Sequence, residues 1–119
     1  MTDERRGMSR INVTWPITVI TDKGMIEGES VNITPAGVFV RSKNVLKENE
    51  TYQMIIKLPN KKQVVVKGKL VWSNLNGEER SEAFSSMGFS FVKVGEEDQR
   101  LLRAVIALYG PGGKRAKER

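Results

Sequence analysis

The sequence predicts a mainly β fold, a closed antiparallel barrel or a small sandwich, followed by one C-terminal helix. About six short runs with strand character are separated by turn residues, a pattern that favours antiparallel strands over a parallel sheet. An apolar stripe at helical spacing follows the last run. The 119 residues suffice for one domain, which should bury roughly 65% of the surface that the unfolded chain exposes.

The first two predicted strands are joined by a hairpin turn, and a third short strand follows them. Ile17 and Val19 alternate with Thr18 and Ile20, and the turn signal Asp-Lys-Gly follows at 22–24. Residues 25–33 form the predicted return strand, in which we interpret Gly28 as a bulge. Residues 37–41 form the third strand.

The last three predicted strands each have one apolar face. These faces consist of Tyr52, Met54, Ile56 and Leu58, then Val64, Val66, Leu70 and Trp72, then Met87, Phe89 and Phe91. Gly68 interrupts the second face, and a turn is expected at 74–77. We also expect Phe39, Phe89 and Phe91 to point mainly inward.

The C-terminal part changes to helical spacing. Glu96, Glu97 and Asp98 suit the positive end of a helix, and a Gly-Pro-Gly-Gly run from residue 110 ends it. The apolar stripe, expected to cover the barrel, consists of Leu101, Leu102, Val105, Ile106 and Tyr109. The predicted organisation is a flexible arm (1–12), a barrel (13–94), a helix (95–109) and a disordered basic tail (110–119).

Composition narrows the function classes. The chain has 20 Lys and Arg against 14 Asp and Glu, a net charge of +6, so its surface attracts anions. It has no Cys and no His, which excludes disulfides, thiolate nucleophiles and histidine bases. No apolar run approaches the roughly 20 residues of a membrane span. We therefore expect a non-enzymatic, cytoplasmic protein without a cofactor, a metal site or a membrane span.

Arginines in the arm form the first candidate anion site. Arg6 and Arg10 are four residues apart, and Arg5 comes just before them. Each guanidinium offers a planar fork of donors to phosphate oxygens or to the O6/N7 edge of guanine. A flexible arm with two such groups can close over an anionic ligand.

The second candidate site is the segment from Asn32 to Gly37. Asn32 and Thr34 are alternate residues of an extended segment, so their side chains should point the same way and could contact the edge of a base. Gly37 ends the turn, either because the backbone there has a shape that other residues cannot adopt or because a ring approaches it closely.

In this order, RxxxR followed by NxTxxG, the sequence resembles the PilZ domain family. The resemblance runs from about Glu4 to Leu108, and residues 37–40, 66–72 and 87–91 look like further strands of that family. It implies a six-stranded antiparallel barrel with a C-terminal helix, in agreement with the strand count above.

The resemblance also implies a ligand, the bacterial second messenger cyclic di-GMP. Arg6 and Arg10 would hold phosphates and guanine edges, Asn32 and Thr34 would contact a guanine, and Gly37 would shape the floor of the site. The resemblance further implies that the position of Arg5, just ahead of RxxxR, influences whether one ligand binds or a stacked, intercalated pair. We favour the pair. The family acts on motility, surface polysaccharide, biofilms and virulence, here through an unidentified protein partner in trans.

Two residues depart from the commoner family pattern. Thr34 stands where Ser is more frequent, so the hydroxyl remains but a methyl group is added. Asn32 is the permitted alternative to Asp and has one acceptor oxygen instead of two. Both departures predict weaker binding rather than its loss.

Two other functions remain open. A small basic barrel can bind single-stranded RNA or DNA, although only 7% of the residues are aromatic, and we rank nucleic acid as an unlikely partner. A PilZ-like adaptor that works by protein contacts alone is also compatible with the fold, but the presence of both motifs favours the receptor.

Overall fold

The computed structural model describes residues 10–44, 46–73 and 85–109. Within them the chain forms six strands and one helix. The elements are β1 (Pro16–Thr21), β2 (Gly24–Thr34), β3 (Gly37–Ser42), β4 (Thr51–Lys57), β5 (Gln63–Ser73), β6 (Ser85–Val94) and α1 (Glu96–Tyr109). Most of the predicted arm, the predicted turn at 74–77 and the predicted tail lie outside the described residues.

The strands close into a barrel in the order β1-β2-β3-β6-β5-β4, with β4 returning to β1. Every neighbouring pair is antiparallel, which confirms the predicted fold class. Alternate residues point inward because side chains alternate across a strand. The buried residues that fill the barrel include Ile17, Val19, Ile33, Val38, Val40, Met54, Ile56, Val64, Val66, Leu70, Met87 and Phe89.

Helix α1 covers one end of this barrel with the predicted stripe. Leu102, Val105 and Ile106 are buried in the same core as the strands. At the start of the helix, the Val65 amide donates to the Asp98 carboxylate at 3.1 Å. At its other end, the Tyr109 ring packs edge-on against Trp15 with the ring centroids 5.8 Å apart. We call the end of the barrel that α1 covers the helix end.

The bulge in β2 is not at Gly28. Gly28 pairs regularly with Ile17 of β1, and a Cβ there would lie 2.8 Å from the carbonyl oxygen of Arg41. The glycine therefore allows close approach of β3 rather than a bulge. The register of β2 with β3 shifts instead between Ser30 and Asn32.

Two aromatic side chains that were predicted in the core lie outside it. Phe39 is 39% exposed and Trp72 is 46% exposed. Phe39 lies between the buried Val38 and Val40, so strand alternation turns it outward. Trp72 leaves the core face because the register of β5 with β6 shifts between Leu70 and Trp72.

The chain joins the barrel earlier than predicted. Ile11, assigned to the arm, is only 4% exposed and belongs to the core cluster. It forms a β-bridge with Ile33 of β2. We call residues 10–15, which run beside β2 into β1, the N-terminal segment.

Candidate functional site

The N-terminal segment brings the two sequence motifs together at the helix end. The Ile11 amide donates to the Ile33 carbonyl and the Ile33 amide donates to the Ile11 carbonyl, both at 3.0 Å. This pairing is antiparallel, so the residue before Ile11, Arg10, comes beside the residue after Ile33, Thr34. Arg10 is exposed. The second arginine of RxxxR and the polar residues of NxTxxG thus lie on one surface, whereas Arg5 and Arg6 lie outside the described residues.

Thr34 holds the turn that follows it. Its hydroxyl oxygen accepts hydrogen bonds from the Ala36 amide at 2.9 Å and from the Gly37 amide at 3.1 Å. A hydroxyl has two lone pairs and one proton, so both acceptor positions serve the turn. Thr34 can therefore offer its proton to a ligand, which suits an acceptor such as a phosphate oxygen or the O6/N7 edge of guanine.

Gly37 is required for close packing of strands, and the first predicted reason, a backbone shape that other residues cannot adopt, does not apply. Its φ angle is not in the left-handed region, in contrast to Gly24 at 126°. A Cβ at Gly37 would lie 2.5 Å from the carbonyl oxygen of Phe89 on β6. The close neighbour is thus backbone rather than a ring, and the glycine lets β3 and β6 meet directly beneath the turn.

A row of paired residues extends from Asn32 across the outside of the barrel. Asn32 pairs with Phe39, Phe39 with Gly88, and Gly88 with Trp72. Paired residues of neighbouring strands share a face, so we call Asn32, Phe39, Gly88 and Trp72 the Asn32 row. It continues the candidate site over three further strands.

Two exposed rings dominate the Asn32 row. The Phe39 and Trp72 centroids are 5.6 Å apart, with the ring planes tilted by 37°. Gly88 makes this contact possible, because a Cβ there would lie 3.3 Å from the Phe39 ring. Flat, exposed aromatic faces are surfaces on which nucleobases stack. The alternation of Phe39 with Val38 and Val40 could have identified its exposure from the sequence.

The charges near this row are mostly basic. Lys69 belongs to the adjacent row, which runs through Thr34, Gly37 and Ser90. On the other side of the Asn32 row, two residues beyond Phe39 along β3, Arg41 donates to the Glu29 carboxylate at 2.8 Å. Arg10 and Lys69 therefore provide positive charge on either side of the motif turn, which favours an anionic ligand.

A shallow groove adjoins the motif turn. It has a volume of about 270 Å³ and runs between Pro35-Ala36, the end of β6 and α1, with Lys93, Gln99 and Arg103 in its lining. A larger cavity of about 510 Å³ lies at the opposite end of the barrel beside Tyr52. There, burial raises the pKa of the Tyr52 phenol, which accepts from the Lys47 amide and donates to the Lys47 carbonyl.

No three His, Cys, Asp or Glu side chains of the described residues come together as metal ligands would. Nor does the described chain contain a helix that is long and apolar enough to cross a membrane.

The family model for the PilZ domain matches residues 4–108. Comparison with curated proteins finds no match. Among solved structures, the chain is similar to the Bacillus subtilis inhibitor of motility MotI/DgrA, with 22% identity and a TM-score of 0.70 over 87% of this chain and 50% of that one.

Two similar structures are complexes with c-di-GMP. The PilZ domain of YcgR from Escherichia coli is 14% identical, with a TM-score of 0.67 over 96% of this chain and 95% of that one. MrkH from K. pneumonia is 13% identical, with a TM-score of 0.76 over 97% of this chain and 55% of that one. The chain thus spans about half the length of MotI and MrkH but nearly all of the YcgR domain, and at these identities the likeness shows the fold.

Proposed function

The chain belongs to the PilZ domain family, and we propose that it is a cyclic di-GMP receptor without catalytic activity of its own. One observation carries this proposal. The pairing of Ile11 with Ile33 sets Arg10 of RxxxR beside Thr34 of NxTxxG. Two similar PilZ structures with bound c-di-GMP support the same ligand for this fold.

In this proposal the arginines bind the anionic part of the ligand. Arg10 approaches from the N-terminal segment and donates to a phosphate or to the O6/N7 edge of guanine. The sequence assigns the same chemistry to Arg6, four residues earlier. Arg5 provides a further guanidinium that can stack on a guanine face, the arrangement that favours an intercalated pair of ligands.

The polar motif residues bind a guanine base. The Asn32 amide oxygen accepts one of the two donors on the guanine edge, and the Thr34 hydroxyl donates its free proton. Gly37 keeps the turn close to β6, so that the base can approach the backbone.

The aromatic pair provides a stacking surface that the motifs do not describe. Phe39 is the cross-strand partner of Asn32, and Trp72 packs against it. A base held by Asn32 is therefore next to an exposed ring. Base stacking on an aromatic side chain contributes about 1–3 kcal/mol, as much as a good pair of hydrogen bonds.

As an effector, the protein acts through a partner in trans. Binding closes the arm over the barrel and changes the surface near α1, because the N-terminal segment contacts the helix through Trp15 and Tyr109. We propose a cytoplasmic location, where a bacterial second messenger acts, and a protein partner in motility, polysaccharide, biofilm or virulence control. A PilZ-like adaptor that acts without the ligand is the alternative if no binding is found.

A second candidate is binding of single-stranded nucleic acid. The exposure of Phe39 and Trp72 favours it, because successive bases of a single strand stack on exposed aromatic side chains. Salt dependence separates the two ligands. A strand that contacts many phosphates loses affinity steeply with salt, with a slope of about −0.7 per contact, whereas a dinucleotide shows a shallow slope.

Calorimetric titration of cyclic di-GMP tests the receptor function. We expect saturable binding by the unmodified protein and a roughly 10- to 150-fold higher Kd for Arg10→Ala, since hydrogen bonds to charged groups contribute about 1.5–3 kcal/mol. Arg100→Ala, on the exposed face of α1, is the matched control with the same change of charge and should bind normally. Absence of binding by the unmodified protein, or equal loss in both variants, would overturn the proposal.

A further inference from the structure

Ser30 is a buried polar residue outside both motifs. Its side chain is 0% exposed, so its hydroxyl must find partners within the protein. It has two, and both are backbone groups of the N-terminal segment. The Trp15 amide donates to Ser30 Oγ at 2.9 Å, and Ser30 Oγ donates to the Val13 carbonyl.

These bonds lie where the pairing of the N-terminal segment with β2 is irregular. The Ser30 amide donates to the Trp15 carbonyl at 2.9 Å, and Ile11 pairs with Ile33. Between these two points the segment advances four residues while β2 advances three. One residue of the segment therefore has no place in a regular ladder, and backbone groups that a ladder would pair need other partners.

The Ser30 hydroxyl supplies those partners. It bonds the Val13 carbonyl and the Trp15 amide within the irregular stretch. These bonds hold the stretch in one arrangement, so that Ile11, and not one of its neighbours, pairs with Ile33. A one-residue change in this register would move Arg10 away from Thr34 and reverse the faces of the segment.

We propose that Ser30 is a positioning residue for ligand binding: its hydroxyl fixes the register of the N-terminal segment and thereby sets Arg10 beside Thr34. This inference rests on the proposed receptor function, which it extends to a residue that would not itself touch the ligand.

The test compares Ser30→Ala with Ser42→Ala in cyclic di-GMP titrations. Ser42 is the matched control: it is also buried, at 3% exposure, and its hydroxyl also bonds backbone, donating to Glu27 and accepting from Asn44. It lies at the opposite end of β3 from the site. We expect Ser30→Ala to raise Kd at least fivefold and Ser42→Ala to leave Kd within twofold.

A double variant separates positioning from general destabilisation. If Ser30 acts through Arg10, adding Ser30→Ala to Arg10→Ala should change Kd less than twofold. Equal losses in the two serine variants would overturn the inference, as would a Ser30→Ala effect that persists in full without Arg10. If Ser30→Ala does not fold, Ser30→Cys, which keeps a weak donor and acceptor, should show the same pattern to a smaller degree.

Hydrogen exchange tests the positioning without any ligand. Ser30→Ala should speed exchange at the Ile11 and Ile33 amides at least tenfold, and Ser42→Ala should not. Unchanged protection at these amides would overturn the inference even if cyclic di-GMP binds. Absence of binding by the unmodified protein would overturn the receptor function, while the exchange data would still report on the register.

Discussion

Ile11 and Ile33 are 22 residues apart in the chain, yet they are both buried and exchange two backbone hydrogen bonds of 3.0 Å. This pair anchors the base of the arginine-bearing arm on the strand that carries NxTxxG. Each motif alone is common in basic chains and in turns. The Ile11–Ile33 pairing brings them together at the helix end, and the proposed nucleotide site depends on this juxtaposition.

Replacing Trp72 with alanine should reduce ligand affinity more than stability. Because Trp72 is 46% exposed, the stability loss should be about 1 kcal/mol, mainly from its contact with Phe39. Loss of base stacking should raise the Kd for cyclic di-GMP about 5- to 150-fold in calorimetry. Val71→Ala, an equally exposed neighbour, is the control, and an unchanged Kd for Trp72→Ala would show that the base does not stack there.

Adding a methyl group at Gly37 should destabilise the barrel. The new Cβ of Gly37→Ala would lie 2.5 Å from the Phe89 carbonyl oxygen, so β3 and β6 must separate, and we expect a loss of about 1–3 kcal/mol in urea unfolding. Gly95→Ala is the control, since nothing lies within 4 Å of its added Cβ. Since the Gly95 carbonyl accepts the first helical hydrogen bond from the Gln99 amide, Gly95 is the N-cap of α1, where alanine is less favourable than glycine, and the control should lose only about 0.5 kcal/mol. Equal stability of both variants would refute the packing explanation.

Thr34 should tolerate serine but not valine. Thr34→Val keeps the size of the side chain but removes the oxygen that accepts from the Ala36 and Gly37 amides. At about 0.5–1.5 kcal/mol for each hydrogen bond, unfolding in urea should show a loss of about 1–3 kcal/mol, together with weaker ligand binding. Thr34→Ser keeps the oxygen and should bind at least as well as the unmodified protein, so indistinguishable Ser and Val variants would contradict the role assigned to the hydroxyl.

Asn32→Asp should strengthen binding. A carboxylate accepts two hydrogen bonds from the guanine edge, where the amide oxygen offers one acceptor group, and hydrogen bonds to charged groups are the stronger kind. A gain of about 1 kcal/mol corresponds to a roughly fivefold lower Kd. Asn44→Asp, on an exposed residue beyond β3, controls for the added negative charge. A higher Kd for Asn32→Asp alone would mean that this side chain faces a phosphate.

Sequence patterns were sufficient to predict the fold class and to single out the two motifs that the structure brings together. Alternation predicted the strands, and helical spacing predicted the stripe that contains Leu102 and Ile106. They did not predict the exposure of Trp72, because a register shift between β5 and β6 cannot be read from one strand's pattern. Phe39 was misassigned for a simpler reason: its hydrophobicity was given more weight than its position between two core valines.

The contribution of the N-terminal segment was underestimated from the sequence. Ile11, Val13 and Trp15 alternate with polar residues, the same period that marks β1, and this pattern could have placed the segment in the barrel. Its pairing with Ile33 could not be predicted, because that partner is distant in the chain. Ser30 looks like an ordinary strand serine until its two backbone partners are known. Long-range pairing, rather than local propensity, assembles this site.

Backbone amide chemical shifts during a cyclic di-GMP titration test the central claim most directly. If the ligand binds where the two motifs meet, shifts should concentrate at Arg10, Ile11 and Asn32–Gly37, together with Phe39 and the Trp72 indole. The amides around the distant cavity at Tyr52 should remain unchanged. Shifts concentrated at that cavity, or no shifts at saturating ligand, would contradict the account.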